Sequence, residues 1–224
     1  MLMNKIKWIF FDIGSTLVDE SAVYENRIKE ITQGNNIDKN EFVAKVIECA
    51  QTSPKPIVSA AEDYGVNVPA WRHDLEVLYP DSKEVLQRLS QKYKIGIIAN
   101  QDFGTEQRLT DFNVHQYINL VIASAEEGVA KPDLRIFQIA LDRANCKPEE
   151  AVMVGDRIDN DIIPAKKIGM KTVWIKQGFG GLSEQMTEAQ QPDYSVDSLK
   201  ELLPLFINQS EKKWSIKKSK ERKL

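Results

Sequence analysis

Two cysteines in 224 residues, Cys49 and Cys146, are too few for a disulfide framework or a cysteine-rich metal site. The two histidines, His73 and His115, stand too far apart for paired metal spacing and read as structural or surface residues. No apolar run approaches the roughly 18 residues that a membrane helix needs. The first apolar run, Trp8–Phe11, stops at an acid instead of continuing as a secretory leader would. Neither sign of charge dominates: 30 Lys and Arg against 33 Asp and Glu give a net charge of −3, which excludes a general polyanion binder. The expectation is a globular cytoplasmic protein, monomeric or homodimeric, with no membrane or nucleic-acid partner.

Five short apolar runs punctuate the chain: Trp8–Phe11, Ile95–Ile98, Leu120–Ile122, Ala151–Val154 and Thr172–Ile175. Runs this short, rich in Val and Ile, suit strands buried on both faces, as a parallel sheet requires. Helical stripes lie between them. Asp81-Ser82-Lys83-Glu84 has the form of a capping box before Val85, Leu86 and Leu89. A second stripe, Leu134 to Leu141, follows Pro132 at the helix start, and a third, Asn160–Ile168, ends at Gly169. The alternation predicts an α/β fold with a doubly wound, mostly parallel sheet.

One interval breaks the rhythm. Between Asp12 and Ile95 lie 82 residues, against about 30 for a whole βαβ unit. Helical patterns at Tyr24–Ile31 and Glu41–Ala50, broken by Gly34-Asn35-Asn36 and Ser53–Pro56, mark an inserted helical domain. The division is thus a core of residues 1–17 and 80–208, a helical cap of 18–79, and an extension of 209–224. Residues 211–224 carry seven Lys and Arg against two Glu, a solvated tail that Trp214 and Ile216 would tie down, if anything does.

In an open parallel sheet, ligands collect beyond the carboxyl ends of the strands. The polar residues that follow the runs are therefore the candidates: Asp12 with Gly14-Ser15-Thr16, Asn100-Gln101-Asp102, Lys131 before Pro132, and Asp156 with Asp161. Carboxylates from two strand ends offer hard oxygen ligands to Mg²⁺, and a lysine from a third loop offers a point charge to phosphate. Taken singly, these residues have plainer readings: Asp12 as a helix cap, Lys131 as a surface lysine, Asp156, Asp159 and Asp161 as loop acids. Their co-occurrence favours the site. Gly178-Phe179-Gly180-Gly181 lacks the last glycine of a dinucleotide fingerprint, since Ser183 stands there, and reads as a loop.

Phe11-Asp12-Ile13-Gly14-Ser15-Thr16-Leu17, Ala130-Lys131-Pro132-Asp133 and Val154-Gly155-Asp156 with Asp161 resemble three of the four motifs of the haloacid dehalogenase superfamily. They occur in the family's order, and the 82-residue interval matches the helical cap that one class inserts after its first motif. The resemblance implies a Rossmann-like core and a hydrolase that works on a small phosphorylated metabolite. It implies that Asp12 attacks phosphorus and forms an aspartyl-phosphate. Mg²⁺ would be held by the Asp12 carboxylate, the Gly14 carbonyl and Asp156, with Asp161 in support. Lys131 would stabilise phosphate charge, and Ser15, Thr16 and Asn100 would border the phosphoryl oxygens.

Two positions depart from the pattern. The phosphatases of the family carry a second aspartate two residues after the nucleophile, which protonates the leaving group; here that residue is Gly14. General acid–base help is typically worth about 10²–10⁴-fold. The second motif ends in Ala99 where a Ser or Thr hydroxyl would bind phosphate. Asp102, Asp19, a cap residue or the leaving group itself are the candidate replacements for the acid. The alternatives to a phosphatase are a phosphonatase, with Lys29, Lys39 or Lys45 as its Schiff-base lysine, a dehalogenase, or a binding protein without turnover. In the cap, Tyr24, Arg27, Trp71 and Arg72 are candidates to face substrate.

Overall fold

The computed structural model describes residues 5–53, 55–182, 187 and 190–207. Strands run over β1 Trp8–Phe11, β2 Val18–Asp19, β3 Val77–Leu78, β4 Lys94–Ala99, β5 Leu120–Ala123, β6 Ala151–Gly155, β7 Lys171–Ile175 and β8 Tyr194–Val196. Helices are α1 Ser21–Asn35, α2 Lys39–Ala50, α3 Pro56–Asp63, α4 Ser82–Ser90, α5 Thr105–Asp111, α6 Ser124–Glu127, α7 Leu134–Ala144, α8 Ile163–Ile168 and α9 Leu202–Phe206.

Six strands form one sheet in the order β5-β4-β1-β6-β7-β8, and every neighbouring pair is parallel. The five foreseen runs are five of these strands. The sixth, Tyr194–Val196, is too short and too mixed in polarity to announce itself. Side chains alternate across the sheet, as period two requires. In β1, Ile9 and Phe11 join a core with α4 and α9, whereas Phe10 joins one with α7 and α8. Apolar cores on both faces make the sheet doubly wound, as expected. The chain winds outward from β1 through β4 to β5, then returns to β6 on the other side of β1. That reversal opens a crevice at the carboxyl ends of β1 and β6.

The interval after β1 is closed at its base by a ribbon, in which β2 pairs antiparallel with β3. Within it, Ile28 and Ile31 of α1, Phe42 and Val46 of α2, and Ile57, Ala60 and Ala61 of α3 share a separate apolar cluster. Asp38 caps α2 by accepting from the N–H groups of Asn40 and Glu41 at 2.8 and 3.0 Å. Arg157 of the core donates to the Ser53 carbonyl at 3.0 Å, and Gln51 donates to the Leu182 carbonyl at 3.0 Å, so the helices lie against the crevice.

Two helix starts differ from expectation. Asp81 adopts helical angles and its side chain caps nothing; Ser82 instead donates to the Leu17 carbonyl at 2.6 Å and ties together the two arms of the interval. Asp133, not Pro132, precedes the first residue of α7, and its carboxylate accepts from the Arg135 N–H at 2.9 Å. The third helical stripe begins as a wide turn, Ile158–Ile162, and tightens into α8 before Gly169 ends it at φ 97°. The 209–224 extension, with Trp214 and Ile216, lies outside the described residues. Among the described residues, no helix is long and apolar enough to cross a membrane.

Glycine-to-alanine changes should have opposite signs at two positions. A Cβ at Gly96 in the central sheet would lie 2.4 Å from the Phe10 ring, whereas at helical Gly34 it meets nothing within 4 Å. Gly96→Ala should cost about 1–3 kcal/mol, and Gly34→Ala should add about 0.5–1 kcal/mol. Urea unfolding of the two variants checks both signs.

Candidate active site

Three strand ends build the crevice. The Asp12 N–H donates to the Val154 carbonyl at 2.9 Å, so the β1 ladder holds the residue up to its last atom. Beyond it the chain turns sharply. The N–H groups of Thr16, Leu17 and Val18 all donate to the Ile13 carbonyl, and Ser15 sits in the left-handed region at φ 52°. Such a conformation in a residue with a Cβ persists where the surroundings over-determine it.

Lys131 is 4% exposed. Its ammonium donates to Asp161 Oδ1 at 2.6 Å and lies 2.8 Å from Asp12 Oδ1. Burial disfavours the charge, but the carboxylates of Asp12 and Asp161 outweigh that penalty and hold the lysine protonated. Asn100 clamps the main chain of the lysine reciprocally. Its Nδ2 donates to the Lys131 carbonyl at 2.8 Å, and its Oδ1 accepts from the Lys131 N–H at 2.7 Å. The side chain that follows the second motif is therefore spent on orienting the lysine.

Asp156 is 4% exposed and has no ion-pair partner among the described residues. The Thr16 hydroxyl donates to its Oδ1 at a long 3.5 Å. Burial first, then the charges of Asp161 and Asp12, push its carboxyl well above the usual carboxylate range. Asp161, wholly buried, accepts from the Arg157 N–H at 2.9 Å on its other oxygen. Ligand oxygens of Asp12, Asp156 and Asp161 all lie within 4.8 Å of one another. If all three carboxyl groups are ionised, one ammonium offsets only one of the three charges, and Asp156 is buried without an ion pair among the described residues. That arrangement fits a divalent cation with oxygen ligands.

Glycines make room for these acids. A Cβ at Gly155 would lie 2.3 Å from the Asp161 carboxyl, and one at Gly180 would lie 2.4 Å from Asp156 Oδ2 and 2.5 Å from its carbonyl oxygen. The 178–181 segment thus packs against Ser15 at Gly178 and against Asp156 at Gly180; where the sequence predicts a loop, its second half forms a tight helical turn over Gly180–Leu182.

A cavity of about 160 Å³ holds Asp12, Gly14, Ser15, Asn100, Lys131 and Asp156 on its walls. It adjoins a larger one of about 400 Å³ lined by Tyr24, Arg27, Lys55, Trp71 and His73. Arg27 stacks on the Trp71 ring at 4.7 Å, its Nε is buried without a partner, and burial lowers its pKa. Arg72, by contrast, pairs with Asp74 at 2.5 Å away from both cavities. Lys29, Lys39 and Lys45 line neither cavity. Cys49 and Cys146 are free, and burial raises both thiols, Cys146 to about 11.

Sequence reasoning missed Glu20. It is 7% exposed, lines both cavities, and burial raises its carboxyl to about 7. Of the candidate substitutes, Asp102 lines the larger cavity with a side chain 83% exposed beside His73, and Asp19 accepts from the Ser21 N–H outside both cavities. The signal that would have found Glu20 is spatial, because it follows the nucleophile by eight residues and matches no motif.

Gly180→Ala should press on Asp156 and weaken divalent binding by about 10–100-fold. Thermal unfolding with and without added Mg²⁺ measures this, as a Mg²⁺-dependent rise in Tm that the variant shows only at higher concentration.

Residues 9–175 match the haloacid dehalogenase-like hydrolase family. A glyceraldehyde 3-phosphate phosphatase of Pyrococcus furiosus is 31% identical, over 91% of this chain and 94% of that protein. A ribulose-1,5-bisphosphate 5-phosphatase of Halopiger xanaduensis is 29% identical, over 73% and 70%. In fold, the chain is similar to the magnesium-bound putative HAD-hydrolase YfnB of Bacillus subtilis, with a TM-score of 0.69 and 19% identity, covering 90% of this chain and 99% of that one. With the motif residues gathered at one sheet edge and a match over most of its length, the chain belongs to the haloacid dehalogenase-like hydrolases.

Proposed function

We propose that this protein is a cytoplasmic, Mg²⁺-dependent phosphatase of a small phosphorylated metabolite, with Asp12 as its nucleophile. The observation that carries the reading is the Lys131 ammonium lying between Asp12 and Asp161 beside the unpaired Asp156. Relatives named as phosphatases of three- and five-carbon sugar phosphates support the substrate class. In this reading residues 1–17 and 80–208 are the core and 18–79 are the cap.

Asp12 attacks phosphorus in line, and its carboxylate carries the phosphoryl group until water removes it. Lys131 neutralises phosphoryl oxygens and keeps the Asp12 oxygen aimed at phosphorus. Asp161 and Asn100 hold that lysine, one by its ammonium and the other by its main chain. Mg²⁺, held by the Asp12 carboxylate, the Gly14 carbonyl and Asp156 with Asp161 in support, would screen the attacking carboxylate from the anionic phosphate. Ser15 borders the phosphoryl group directly; Thr16 acts through Asp156. The larger cavity takes the rest of the substrate, with Arg27, which makes no ion pair among the described residues, as the cation for its polar end.

Turnover of a phosphomonoester panel in Mg²⁺ tests the reading. The parent should hydrolyse at least one member, and Asp12→Asn should be slower by about 1,000-fold or more. Equal rates in the two proteins would refute it. On the best substrate, Arg27→Ala should raise KM about 10–100-fold, the loss of one charged hydrogen bond, while kcat changes far less.

A further inference from the structure

The space beside Gly14 is not empty. A Cβ there would lie 2.4 Å from Glu20 Oε1 and 2.9 Å from both Cδ and Oε2, so a carboxyl group fills the volume that a side chain at position 14 would enter. Glu20 arrives from another direction. It is the residue immediately before α1, a position whose side chain ordinarily caps the helix, yet it makes no cap bond. It turns into the site. The Tyr24 hydroxyl donates to its Oε2 at 2.7 Å and the Ser15 hydroxyl at 3.2 Å. Both donors act on Oε2, and Oε1 is the oxygen against Gly14. The Glu20 hydrogen bonds come from hydroxyl groups, and among the described residues it makes no ion pair. A buried acid held only by hydroxyl donors, with no ion pair among the described residues, is costly to folding.

We propose that Glu20 is the proton donor and acceptor of the reaction, supplying from the start of α1 the carboxyl group that the nucleophile loop lacks. The proposal rests on Asp12 being the nucleophile. As an Asp12 oxygen bonds to phosphorus and the bond to the leaving oxygen breaks, the Glu20 proton passes to that oxygen and an alcohol departs. Glu20, now a carboxylate, then takes a proton from water as the water oxygen bonds to phosphorus. The bond from phosphorus to Asp12 breaks, inorganic phosphate leaves, and both carboxyl groups regain their starting forms. Of the acids around the crevice, Asp161 is committed to Lys131, whereas the hydrogen bonds of the Glu20 side chain among the described residues come from two hydroxyls.

Leaving-group dependence separates this role from a structural one. An alkoxide needs a proton to depart and p-nitrophenolate does not. In the Mg²⁺-loaded enzyme, Glu20→Gln should slow the first turnover of an alkyl phosphate about 100-fold or more. The first turnover of p-nitrophenyl phosphate should stay within about tenfold of the parent, followed by a slow steady state, because phosphoryl-Asp12 then lacks its base. Equal slowing of the two first turnovers, or none, would overturn the proposal. A second comparison does not depend on how the substituted amide packs: Gly14→Asp combined with Glu20→Ala should hydrolyse the alkyl phosphate faster than Glu20→Ala alone. A double variant that melts like the parent and is no faster counts against the proposal. A parent without Asp12-dependent turnover would instead sink the phosphatase reading itself.

Discussion

A single ammonium group organises this molecule. Lys131 stands almost without solvent between Asp12 and Asp161, and such an arrangement is stable only while every partner stays in place. Removing either acid would leave the buried cation a single partner; removing the lysine would strand two acids. The surrounding structure is therefore committed to holding three chain segments in register: the end of β1, the loop before α7, and the turn after β6. Parallel strands suit this task, because their carboxyl ends converge on one edge and the hydrogen-bond ladder carries Asp12 up to it.

The acids outnumber the cation, and the packing that makes this tolerable is subtractive. At Gly155 and Gly180 the absent Cβ is what admits a carboxyl group to the crevice. The helices after β1 complete the enclosure. Tyr24 meets Phe179 edge-on at 4.9 Å, and Arg157 reaches the Ser53 carbonyl while pairing with Asp159. Two of the links between the helical insertion and the core thus involve residues beside the clustered acids.

Much of this was legible in the residues. Short Val- and Ile-rich runs are hard to place anywhere but a buried parallel strand, and the interval after Asp12 was too long to be one crossover. Asp12 and Asp156 were recognisable because each directly follows a strand, and Lys131 and Asp161 because they complete motifs with a fixed order. What escaped notice had weak local signal. Tyr194–Val196 pairs at the sheet edge without a run of its own. Asp81 and Ser82 looked like a cap but serve the closure of the insertion, a tertiary demand that overrides local chemistry. Asn100 looked like a phosphate ligand; its hydrogen bonds go to the Lys131 main chain, a partner 31 residues away that no local reading reveals. Glu20 belonged to no spacing rule at all.

Gly14 carries an implication for how such a chain changes over time. The acid at the nucleophile loop and the acid at the start of α1 compete for one volume, so the two designs are alternatives, not increments. A lineage passing from one to the other by single substitutions must traverse a form crowded with both carboxyls or bare of both. Chains of this fold should therefore sort into two populations, with position 14 and position 20 changing together.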